Sequence, residues 1–258
     1  FWNSRLEWIE ENNRYEIRDV IGPDEYKEHV DNNAYTNYMA HENMRLAAQV
    51  IACIRDEKKD IYGKMQKLMQ EEGTSLEQLE EELKDKMKKL YLPQPDEKTG
   101  IIPQFDGYFD LKEIDLSVYK NASVVGTIFH DYSGEDVQKM QAGKQADIVE
   151  LLYQMEDITT PDNKAKNYVY YEARTLHDSS LSKAIHSITA CDLGMEKEAY
   201  EMFMSAALTD LGQEMKSSDA GIHSANMGGV WQDVVMGFGG IRIRDGHLRI
   251  APNCPKQW

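Results

Sequence analysis

The sequence predicts a mostly α-helical fold: successive antiparallel helices that lead into the start of a β-rich segment. Apolar residues recur at helical spacing in one stretch after another, polar or glycine-containing connectors divide the stretches, and clear strand alternation is confined to the C-terminal end. The opening, FWNSRLEWIEENN, reads as a helix in progress, and IRDVI as an apolar strand-like stub. From Asp31, an N-cap candidate, Tyr35, Tyr38, Met39, Leu46, Val50, Ile51 and Ile54 mark one face of a long helix. Thr74 and Glu77 make a capping box ahead of Leu76, Leu79, Leu83, Met87 and Leu90, in a helix otherwise filled with Glu and Lys and read as a solvated surface element. YLPQPDEKTG is a polar, Pro-rich connector. Further stripes follow at Ile148, Leu151, Leu152 and Met155; at Leu181, Ala184, Ile185 and Ile188, closed near Gly194; at Tyr200, Phe203, Met204, Ala207, Leu208 and Leu211; and at Met227, Val230, Trp231, Val234 and Val235. IRI, RDG and HLRI then read as a hairpin.

Composition narrows the function. At 258 residues the chain can bury a large core. A formal net charge of −16 argues against nucleic acid, whose phosphates call for a basic face, and disfavours an anionic membrane surface. No apolar run approaches the roughly 20 residues of a membrane span, and no signal peptide is apparent. Cys53, Cys191 and Cys254 are odd in number and lack metal-like spacing, which suits free thiols in a reducing, cytoplasmic setting. With no initiator Met and an abrupt PNCPKQW end, the sequence reads as a piece of a longer chain.

The residues with chemistry sit in connectors. Gly22 and Pro23 break the chain before two adjacent acids, Asp24 and Glu25, and an aromatic, Tyr26. In MQAGKQADIVELL, Lys144 stands with Gln145 where a helix opens, against the positive end of the macrodipole; a docked anion or hydroxyl would justify it, and a solvent-facing Lys is the alternative. In TLHDSSLSKAIHS, His177, Asp178, Ser179 and Ser180 crowd another helix start, as a ligand site or as plain capping. In DAGIHSANMGGVWQDVV, His223 and Ser224 meet a helix start followed by Gly228 and Gly229, which suits either an anion site or a close helix crossing.

Together RYEIRDVIGPDEYKEHVDNNAYTN, GKQAD, TLHDSSLS, GIHSANMGGVWQDVVMGFGG and RDGHLRIAPNCPKQW resemble the maltose, kojibiose and trehalose phosphorylases, glycoside hydrolase family 65. The resemblance runs along nearly the whole chain and is weakest from about Glu57 to Lys98. It implies an (α/α)6 barrel, with residues 1–238 as roughly its second half, 57–98 as a variable helical insertion, and 239–258 as the first strands of a C-terminal β-domain. It implies that an N-terminal β-sandwich and a Trp-Asp-containing sugar-binding segment lie upstream, so that the remainder of the chain is a partner, and a homo-oligomer is expected.

By that resemblance Glu25 is the general acid, since departure of a sugar leaving group needs a proton that a rigidly held carboxyl of raised pKa can supply. Asp24 caps or hydrogen-bonds the turn. An inverting hydrolase needs a second carboxylate as base; a phosphorylase needs only phosphate held behind the anomeric carbon. The stretch from Ile222 to Trp231 contains no acid, and His223, Ser224, Gly228 and Gly229 offer donors for phosphate, with Ser179 and Ser180 nearby. Lys144 and Gln145 match the residues that grip the donor glucose. Phe105 and Tyr108, in IIPQFDGYF, either stack on an acceptor sugar or pack their loop. The expectation is metal- and cofactor-free phosphorolysis of an α-glucoside by inorganic phosphate to β-glucose 1-phosphate. The rivals are an inverting hydrolase on the same scaffold and a non-catalytic piece.

Overall fold

In the computed structural model, residues 1–120, 122, 124–212, 221–244 and 246–258 are described. They form two compact units, one of Phe1–Val20 with His29–Pro93, the other of Ile21–Glu28 with Gln94–Trp258.

In the first unit the opening is not a continuous helix. Trp2–Arg5 makes one turn, Leu6 becomes extended, and Glu7–Ile9 pairs antiparallel with Arg14–Glu16. Asn13 in a left-handed conformation reverses the chain, and Trp8 and Tyr15 meet edge to face at 5.0 Å, a cross-strand pair that favours the hairpin. The IRDVI stub forms no strand beyond the isolated bridge of Val20 with Val30. The long helix spans Ala34–Glu57, and its cap is Asn33, whose side chain accepts from Thr36 N–H at 2.9 Å. Asp31 instead binds Arg18 and the backbone of Asp19.

Lys58 separates this helix from a second, Lys59–Glu71, which the sequence reading did not anticipate. The Leu76–Lys89 helix is capped by Ser75 rather than Thr74. It is not merely a solvated element: Leu76, Leu83 and Leu90 enter one core with Ile17, Ala40, Met44 and Ile51. Its charged face is laced by exposed pairs such as Lys89–Asp85, each worth only a few tenths of a kcal/mol.

The second unit holds the helices Ile148–Gln154, Pro161–Glu172, Ser182–Asp192, Glu196–Ala207 and Ser224–Gln232. Ile148, Leu151, Leu152 and Ile188 are fully buried, as their periodicity predicts. The 196–207 helix stops before Leu211, which is 82% exposed. The 161–172 helix escaped the periodicity reading because its buried face is Lys164, Asn167, Tyr168 and Tyr171, not an aliphatic stripe. Its start is conventional: Thr160 caps it, and Pro161 sits where no N–H is needed. Beyond Gln232 the helix widens into a π-turn over Asp233–Phe238. Ile241–Arg244 and His247–Ile250 pair as the expected hairpin, Asp245 at its turn lying outside the described residues.

Candidate active site

Within the second unit the 21–28 segment is fixed on both sides of Glu25. Asp24, 1% exposed, accepts from Lys144 N–H at 2.8 Å, from Gln104 Nε2 at 3.1 Å and from Tyr26 N–H at 3.2 Å. Burial raises its carboxyl above the usual range against the pull of these donors. Lys27, also 1% exposed, gives its ammonium to the carbonyls of Val137 at 2.7 Å and Met140 at 2.5 Å; burial pushes it down to about 8. Tyr26 stacks edge to face on Phe129 at 5.3 Å and donates to Asp178 at 2.6 Å.

Opposite lies an extended stretch at Gly143 and Lys144. Gly143 N–H donates to Arg174 O, Leu176 N–H to Gly143 O and Asp178 N–H to Lys144 O, all within 2.9 Å. Gly143 permits the close approach of the acid turn, since a Cβ there would stand 3.1 Å from Asp24 Oδ2. The Lys144 ammonium pairs with the Glu25 carboxylate, so the anion that makes sense of this lysine is the candidate acid itself. Gln145 Nε2 donates to Pro23 O at 2.5 Å. Glu25 is the open residue of the turn, its side chain 55% exposed; the burial expected around the acid surrounds Asp24 instead.

A pocket of about 360 Å³ continues from Gln145 across to Ser180, Asn226, Gly228, Gly229 and Trp231. Gly229 also makes a close crossing, because a Cβ there would lie 3.0 Å from Ala184 Cβ. His223 and Ser224 do not line this pocket. His223 binds Asp210 twice, its ring Nδ1 at 2.6 Å from Oδ1 and its N–H at 3.0 Å from Oδ2. The segment is free of acids in sequence, but in space a carboxylate occupies the helix start.

The other expected residues separate. His177 is buried, with Ser182 Oγ at 2.9 Å and Glu172 Oε2 at 3.1 Å, and it holds a left-handed backbone at φ 56°. Burial pulls it down to about 4. His186 Nδ1 lies 2.6 Å from the same Glu172 oxygen without the alignment of a hydrogen bond. Burial alone would raise Glu172, but the two imidazoles outweigh it and hold the carboxyl well below the usual range. Ser179 Oγ accepts locally from Leu181 N–H, a turn bond, whereas Ser180 lines the pocket. Phe105 and Tyr108 are corrected from a stacking role to a packing one: they are 6% and 2% exposed and lie edge to face at 5.4 Å, Tyr108 also against Tyr171.

Residues 1–232 match the glycosyl hydrolase family 65 central catalytic domain. The chain belongs to that family. It is 46% identical over its whole length to a kojibiose phosphorylase of Halothermothrix orenii, and 39% identical to that of Escherichia coli strain K12, covering 32% and 31% of those proteins. A solved chain of human-microbiome origin, given as a candidate kojibiose phosphorylase, superposes with a TM-score of 0.85 at 30% identity, over all of this chain and 36% of the other. The chain thus spans about a third of the length of these family 65 relatives.

Lys27, Gln104, Asp210, Glu150 and Asn226 were not singled out from the sequence. Gln104 and Lys27 act on residues 80 or more positions away, and no local pattern signals such a bond. Among the described residues no helix is long and apolar enough to cross a membrane.

Proposed function

We propose that this family 65 segment serves inverting phosphorolysis of an α-glucoside by inorganic phosphate, giving β-glucose 1-phosphate and a free acceptor. The observation that carries this reading is the pairing of Glu25 with Lys144 on a turn pinned by Asp24 and Lys27, with Gln145 linking that turn to the pocket. Glu25 gives its proton to the glycosidic oxygen as the acceptor leaves. Lys144 and Gln145 hold the glucosyl group. Phosphate, bound at the His223–Ser224 end, attacks the anomeric carbon from the opposite face and inverts it.

Asp210 is held by His223 at the helix start and does not line the pocket, which favours phosphorolysis over a carboxylate-based hydrolysis. With Nδ1 turned to Asp210, His223 can donate Nε2–H to an anion only when its ring carries both protons. No metal or organic cofactor enters the proposed reaction. The sugar contacts expected upstream belong to the remainder of a longer chain, and a homo-oligomer is part of the proposal. Kojibiose heads the substrates to test, following the names of the relatives.

The test incubates the full-length protein with kojibiose, nigerose, maltose and trehalose, with and without phosphate. Glucose 1-phosphate formed only with phosphate is the expected result. Free glucose without phosphate would replace the reading with hydrolysis, and no turnover of any sugar would leave a binding role.

A further inference from the structure

The pocket beside Gln145 is lined by donors, among them Ser180, Trp231 and Gln232, and by acceptors. Two of its amides are oriented by bonds within the protein: Gln145 Nε2 to Pro23 O at 2.5 Å and Asn226 Nδ2 to Ala206 O at 2.8 Å. The latter bond fixes the orientation of the Asn226 amide and leaves Oδ1, on a residue 3% exposed, with no partner among the described residues. Among the described residues Glu150 is the one charged side chain lining the pocket. On its short helix Ile148, Val149, Leu151 and Leu152 are buried, so Glu150 alone of the central residues turns outward. Gln154 Nε2 donates to its Oε1 at 2.9 Å, and Oε2 makes no hydrogen bond among the described residues. No cation among the described residues pairs with this carboxyl, and burial raises it above the usual range.

Gln145 Oε1, Asn226 Oδ1 and Glu150 Oε2 are therefore acceptors awaiting donors. Of the three only Asn226 Oδ1 is buried without a partner, and an acceptor in that state is destabilising, so the complementary ligand brings protons to share. Phosphate dianion keeps a single P–OH to give, and a lone carboxylate repels its charge. A polyhydroxylated ring has several, and Trp231, 61% exposed, offers an apolar face for its C–H surface. At about 360 Å³ the pocket falls in the range of small-molecule sites.

We infer that Glu150 and Asn226 form a hydroxyl-accepting sugar subsite with Gln145, and that Gly228 and Gly229 open this sugar pocket rather than cradle phosphate. The inference rests on the proposed reading that the site takes a glucosyl group.

Tryptophan fluorescence of the full-length protein, titrated separately with D-glucose and with inorganic phosphate, tests it without any turnover. Glu150→Ala should weaken glucose binding by about tenfold to a hundredfold, the size of one hydrogen bond to a charged group, and leave phosphate unmoved. Glu150→Gln, which keeps an acceptor, should recover part of the loss. An unchanged glucose affinity in Glu150→Ala, or a variant that alters phosphate more than glucose, would overturn the subsite, as would wild-type protein that ignores glucose. Glucose binding without phosphorolysis would keep the subsite and remove the proposed reaction. Equal melting temperatures across the variants exclude a merely structural loss.

Discussion

Lys144 and Glu25 lie 119 positions apart in sequence and form a direct ion pair, Lys144 Nζ to Glu25 Oε2. The pair joins the proton donor of the proposed reaction to a residue of its sugar grip. A substrate that competes for the Lys144 ammonium would loosen that contact, which would link binding to the readiness of the acid.

Glu25→Gln keeps the shape of the side chain and has no proton to give. General acid catalysis typically contributes about 100- to 10,000-fold, and turnover of unactivated disaccharides should fall within that range. Steady-state rates on the full-length variant decide it; more than a tenth of wild-type activity would remove Glu25 from the role.

Asp24→Ala tests the anchor and not the acid. It strands Lys144 N–H, removes one of the acceptors of the Gln104 amide, and frees the turn that carries Glu25. Misplacing a catalytic group by about 1 Å can lower a rate about 100-fold, and kcat should drop by that order with little change in the sugar KM.

Ser224→Ala should raise the phosphate KM about tenfold to a hundredfold and leave the sugar KM nearly unmoved, as one charge-assisted hydrogen bond is lost. Varying phosphate and disaccharide independently separates the two constants. An unchanged phosphate KM would move the anion site to the loop at Ser179 and Ser180.

Asp233 predicts a pH dependence of stability. Ser187 Oγ stands 2.7 Å from Ala199 O and 2.9 Å from Asp233 Oδ1. One hydroxyl proton cannot serve both; if it goes to the carbonyl, the second contact needs a proton on the carboxyl. Burial pushes Asp233 up to about 7, from 3.8. The folded state therefore holds a proton that the unfolded state releases, and stability should fall as pH rises from about 4 to about 7, then level off. Asp233→Asn should flatten this segment in urea unfolding at a series of pH values. An Asn variant as pH-sensitive as wild type in that window would refute it.

Glu172→Ala removes the shared partner of Lys120 and His177 and the charge beside His186. Lys120 and Glu172 are both partly exposed, so the loss should fall between the ~1 kcal/mol of a surface pair and the about 3–5 kcal/mol of a fully buried one, read by denaturant unfolding of the full-length chain. A loss below about 1 kcal/mol, the scale of a surface pair, would mean that the cluster is not a structural clamp.

Periodicity alone determined most of the helices, because a buried face repeats every three or four residues and aliphatic side chains mark it: Ile148, Leu151, Leu152 and Ile188 lie where their spacing puts them. The same logic missed the 161–172 helix, whose buried face is tyrosine, asparagine and lysine, and overlooked the opening hairpin, where cross-strand contact of Trp8 with Tyr15 prevails over a helical pattern. The acid turn was legible as a motif, and so was the family it belongs to. Which carboxylate is buried, what Lys144 pairs with, and that Asp210 meets His223 were decided only by the tertiary structure. Hydrogen bonds and ion pairs act over about 3 Å in space and leave no period in the sequence, so a contact between residues 25 and 144 exists only once the chain has folded.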